Sequence, residues 1–137
     1  MTYAVAAALQ QAVYARLAGD AALTTLAGDA IFDALPSGAL PELYVVLGGE
    51  DVRDASDQSG AGAWHRFRVQ VVSEAAGFAA AKGVAGAVCD CLVDAALVLA
   101  RGRLVGLHFV KARASRRGPR GQRQITLTFR ARVADDV

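Results

Sequence analysis

The chain has 137 residues, 54% of them hydrophobic, and a formal net charge of +2. This length suits a single domain, and no stretch approaches the ~18 consecutive apolar residues of a spanning helix. The charge is polarised. Residues 1–60 carry eight acids against Arg16 and Arg53, while residues 101–137 carry ten bases against Asp135 and Asp136, giving −6 and +8.

Composition sets further limits. Thirty residues are alanine, so the large side chains that build a core are fewer than the hydrophobic fraction suggests. Collagen, coiled-coil and low-complexity architectures do not fit, and there is no internal repeat. A secretory leader is not expected at 1–15, which lacks a basic start and carries Gln10 and Gln11. A soluble intracellular domain is the expectation.

Residues 3–18 read as an amphipathic helix, with Val5, Leu9, Val13 and Leu17 every four residues and Gly19 as the stop. Asp20 then caps a short helix, Ala21–Leu26, closed by Gly28. Ile31–Phe32 is a short strand ending in a turn-rich stretch, Asp33–Pro41. Leu43–Val52 is β-branched and reads as a strand, with Gly48 and Gly49 marking a bulge. Asp54–Gly62 is polar and glycine-rich, and is expected to be a mobile loop.

Trp64–Ser73 alternates, with His65, Phe67, Val69 and Val71 on one face and Arg66, Arg68 and Gln70 on the other. Phe78–Leu99 reads as one long helix from its 3–4 spacing. Within it, Cys89 is placed beside the Val88/Leu92 stripe and Cys91 at the boundary. Two residues apart on a helix they point about 200° apart, so they neither bridge nor share a metal. Leu104–Ser115 and Arg123–Val133 form a hairpin whose tip gathers Arg113, Arg116, Arg117, Arg120 and Arg123.

This order predicts an α+β domain: an antiparallel sheet with an N-terminal helix and a long central helix packed on one face. The other face, with Arg66, Arg68, Arg130 and Arg132, is left polar and open to contacts.

Little in the chain points to catalysis. Glu50, Asp51, Asp54 and Asp57 are acidic, but lack the spacing that wraps calcium. His65 and His108 have no nucleophile elbow nearby. Gly60–Gly62 precedes a strand and Gly83–Gly86 lies inside a helix, so neither cradles a phosphate. No metal, cofactor or catalytic residue is expected. The charge polarity instead suggests an interface between identical copies or with a partner, drawing on Asp51, Asp54 and Asp57 against Arg66, Arg68, Arg130, Arg132 and the tip arginines 116, 117 and 120. A nucleic-acid-binding module using the Arg113–Arg123 hairpin is the alternative, although its tip has no aromatic to stack on bases.

The layout of residues 7–17, followed by Asp20-Ala21-Ala22-Leu23, resembles a known family. Further matching pieces are Ile31-Phe32-Asp33 with Pro36, Leu40-Pro41 before Tyr44–Gly48, and His65-Arg66-Phe67 leading into Val69–Ser73. Gly102-Arg103-Leu104-Val105 and Arg123 before Ile125–Ala131 complete the set. The family is that of the tail-completion or tail-terminator proteins of long-tailed phages, in the branch carried by gene transfer agents. The resemblance implies a small α+β subunit of the virion tail-neck region, without catalysis or cofactor. It implies a ring, typically hexameric, that caps the head-proximal end of the tail tube and meets the head-side connector while DNA passes through its lumen. Another head–tail joining protein of similar fold would share these features.

Overall fold

The computed structural model describes residues 2–56 and 60–135. Three helices, α1 (Ala6–Ala18), α2 (Ala21–Ala27) and α3 (Ala79–Leu92), pack on one face of a five-stranded sheet. The strands are β1 (Ile31–Phe32), β2 (Leu43–Asp54), β3 (Gly62–Ser73), β4 (Arg103–Arg117) and β5 (Gln122–Ala134). Their spatial order is β1-β2-β3-β5-β4. The sheet is antiparallel except at β1, which pairs with β2 in parallel, so the all-antiparallel expectation is corrected at that edge.

Local patterns explain most of this. Val5, Leu9, Val13 and Leu17 are all buried, as the four-residue repeat requires. The Asp20 carboxylate accepts a hydrogen bond from the Leu23 amide at 3.0 Å, satisfying one of the orphan donors that open α2. Gly48 and Gly49 sit where the β2–β3 register shifts, a bulge in the expected place. The β3 and β5 alternation sends Phe67, Val69, Val71, Ile125, Leu127 and Phe129 into the core.

The long helix is shorter than its pattern suggested. It ends at Leu92, Val93 turns extended, and Asp94 adopts a left-handed φ of 57° with its amide bonded to the Leu107 carbonyl. Beyond it Ala95, Leu97 and Leu99 pack on the core while Val98 stays 94% exposed. A period-two pattern there coincides with a helical one, and tertiary pairing decided between them.

The cysteine assignment is reversed as well. The buried stripe of α3 runs Ala81, Val84, Ala85, Val88, Cys91 and Leu92, so Cys91 is the core thiol and Cys89 is half-buried. Cys91 Sγ lies 3.6 Å from the Arg16 carbonyl. The chain then enters β4 through Gly102, at φ 70°, where an added Cβ would come within 2.6 Å of the Ala134 carbonyl oxygen. Only glycine fits that turn.

Candidate functional site

The helix-free face of the sheet gathers most of the residues the sequence singled out. Register places Asp51, Arg66, Arg130 and His108 in one row across β2, β3, β5 and β4. The next row holds Arg53, Trp64, Arg132 and Gly106. Arg66 and Arg130 are thus directly opposed, an arrangement that like charges disfavour unless something offsets it.

Part of the offset is Trp64. The Arg130 guanidinium lies 4.4 Å from its ring centroid and that of Arg132 lies 5.6 Å away. Cation–π contacts of this kind contribute about 0.5–1 kcal/mol each at exposed sites. Arg132 also donates to the Ala55 carbonyl at 2.9 Å. It passes beside Gly62, where any Cβ would strike its guanidinium.

Arg68 reaches Asp51 at 3.5 Å, a partly exposed ion pair of small energetic weight. Among the described residues Arg53, Arg66 and Arg130 have no carboxylate partner. With Asp51, Asp54, Ala55 and Trp64 they line an open groove of about 490 Å³. Guanidinium forks held this way suit carboxylates or phosphates of a partner surface.

Asp54 closes β2 and accepts hydrogen bonds from the Ser56 amide and hydroxyl. Asp57, the third acid of the expected set, lies outside the described residues. The loop expected over Asp54–Gly62 is narrowed by pairing: the Ala55 amide bonds to the Gly62 carbonyl at 2.9 Å.

The hairpin-tip arginines are elsewhere. Arg123 pairs in register with Ser73, whereas Gly62 pairs with Ala134. The tip and the Trp64 cluster therefore occupy opposite ends of the sheet, roughly 30 Å apart at the usual rise per strand residue. Arg120 bonds to Glu74 at 3.0 Å, and Gln122 reaches the same carboxylate. Arg123 donates to the Ala76 and Gly121 carbonyls and lies 5.7 Å from the Phe78 ring centroid. Arg116 and Arg117 remain exposed.

The edges of the sheet differ sharply in charge. From Asp29 to Asp54, the β1–β2 edge carries Asp29, Asp33, Glu42, Glu50, Asp51 and Asp54 against Arg53 alone. The opposite edge strand, β4, carries Arg103, Lys111, Arg113, Arg116 and Arg117 and no acid. The charge polarity of the linear sequence thus becomes −5 on one edge, six acids against one base, and +5 on the other, three to four strand spacings or about 14–19 Å apart. Sequence reasoning missed Trp64 as the platform for the face arginines. Its signal was its parity, since it alternates with Arg66 and Arg68 and not with His65.

No group of three or more metal-ligating side chains occurs among the described residues. Residues 11–134 match the profile of the family described as "Tail completion protein gp17". The chain belongs to the tail completion protein family. A solved structure titled "Virion of native gene transfer agent (GTA) particle" contains a chain 57% identical to this tail completion protein, with a TM-score of 0.92. The match covers 97% of this chain and 99% of that one. No curated protein matches.

Proposed function

We propose that this tail completion protein is a structural subunit of a phage or gene-transfer-agent particle. Its copies close into a ring, most simply a hexamer, on the head-proximal end of the tail tube. The ring stops tube growth and presents a surface to the head-side connector, a role that needs shape and charge and no chemistry.

The observation that carries this reading is the placement of acid and base on opposite edges of one sheet. A surface that complements a different surface of an identical copy makes head-to-tail contacts, which close into a ring when the rotation permits. Charge of this kind orients the encounter more than it adds affinity. The exposed tip arginines, Arg116 and Arg117, suit an acidic surface on a neighbouring subunit or tail protein. Transiting DNA would meet no base-stacking aromatic at the tip, which favours passage over retention.

Electron micrographs of the protein mixed with purified tail tubes test the proposal. Ring-shaped density at one tube end, with elongation halted, is the expected result. A strict monomer by light scattering, both alone and with tube protein, overturns it. Tight DNA binding by that monomer, falling steeply with salt, would install the nucleic-acid reading in its place.

A further inference from the structure

We infer that residues 33–42 of one copy seat in the groove between α3 and β4 of the next copy, a contact that rests on the ring reading above. The groove is an uncovered part of the helix-bearing face. α3 lies over β3 and β5 and barely reaches β4, which leaves Phe109 46% exposed and Ala112 and Ala114 open to solvent. Ile125 and Leu127 complete the floor, Ala85, Gly86 and Cys89 form the wall, and the open groove has a volume of about 260 Å³.

The rim of this apolar groove is basic. Lys82 lines it and Arg116 continues the same face of β4 beyond Ala114, whereas Lys111 and Arg113 stand on the opposite face of that strand. The occupant should therefore be apolar, narrow and acidic.

Segment 33–42, Asp-Ala-Leu-Pro-Ser-Gly-Ala-Leu-Pro-Glu, has that chemistry. Every residue in it is exposed, including Leu35 at 47% and Leu40 at 38%. It holds Asp33 and Glu42 and no base. Pro36 and Pro41 restrict its backbone, which lowers the entropy lost on docking. Its position on the β1–β2 edge, opposite the groove, prevents it from reaching the groove of its own chain and suits it to a neighbour's.

Gly86→Leu is the decisive variant. A Cβ added at Gly86 meets nothing within 4 Å, and leucine favours helix over glycine, so the fold is kept while the groove is filled. The expected result is an unchanged or higher melting temperature, with self-association weakened at least about tenfold and rings absent from tube ends. Leu35→Asp with Leu40→Asp should cause the same loss from the other side. Lys82→Glu with Arg116→Glu should abolish association, and adding Asp33→Lys with Glu42→Lys should restore it. Rings that form normally in Gly86→Leu overturn this contact and leave the ring reading intact. Loss in Gly86→Leu but not in the loop variant also overturns it, by assigning the groove another occupant. A wild-type protein that never forms rings removes both readings together.

Discussion

Two arginine clusters lie at the two ends of the sheet, and they are held in opposite ways. At the hairpin tip, where the sequence is densest in arginine, Arg120 and Arg123 are tied to Glu74, Ala76 and Phe78 within the same chain. On the bare face, where arginines are spread over β2, β3 and β5, Arg53, Arg66 and Arg130 share a groove with Trp64 and, among the described residues, form no ion pair. Linear density of charge is therefore a poor guide to which charges are available. Availability depends on what the fold brings alongside, and Glu74 lies 46 positions from Arg120.

The comparison is broken most forcefully at Trp64. Trp64→Ala removes a half-buried ring and both cation–π contacts, and should cost about 2 kcal/mol, read as a lowered denaturation midpoint. If the midpoint moves no more than for a surface substitution, the bare-face cluster is not held together by that ring.

Acid should distinguish the two ends next. His65 is one residue from both Trp64 and Arg66 but points into the core, fully buried, with neither ring nitrogen bonded among the described residues. Burial lowers its pKa below the usual histidine value near 6.5, with Glu50 opposing. The unfolded chain then binds the proton more readily than the folded one. Stability from this group is complete above the unfolded value and declines as pH falls through it toward the folded value. Amide exchange should rise at the Trp64 end of β3 before the hairpin tip, and His65→Phe should flatten that dependence.

The smallest effect is expected at the tip. Glu74→Ala releases Arg120 and Gln122, and since Arg120 is 78% exposed the cost should stay below about 1 kcal/mol. Faster exchange across 118–122 without a change in the Trp64 region would sharpen the contrast. An equal response at both ends would erase it.

Much of the fold was legible because its signals are local. The α1 stripe, the Asp20 cap, the Gly48-Gly49 bulge and the β3 and β5 alternation each depend on neighbours a few residues away. The end of α3 was not, because Ala95, Leu97 and Leu99 satisfy a strand-like and a helix-like spacing at once, and the Asp94 amide's bond to Leu107 decided the matter. Cys89 is next to Val88 in sequence but turned about 100° from it, whereas Cys91, three residues on, shares its face, so adjacency to the stripe misassigned the core thiol. For the site, alternation alone put Arg66, Arg68, Arg130 and Arg132 on the open face. Placing the acids and the β4 bases on opposite edges required the strand order, which no local pattern encodes.

The β4 edge has a consequence for the chain before it meets any partner. Apart from the Leu107 carbonyl, which the Asp94 amide covers, its outer side is that of an edge strand 15 residues long, the kind of template on which chains stack indiscriminately. Two irregularities, at Leu104/Gly106 and Phe109/Lys111, break the flatness of that template, and five bases along the strand repel a second β4 edge. Like edges cannot pair cheaply, whereas an acidic surface can still approach. The strand's own charge thereby steers any partner for this edge away from being the same edge of another copy.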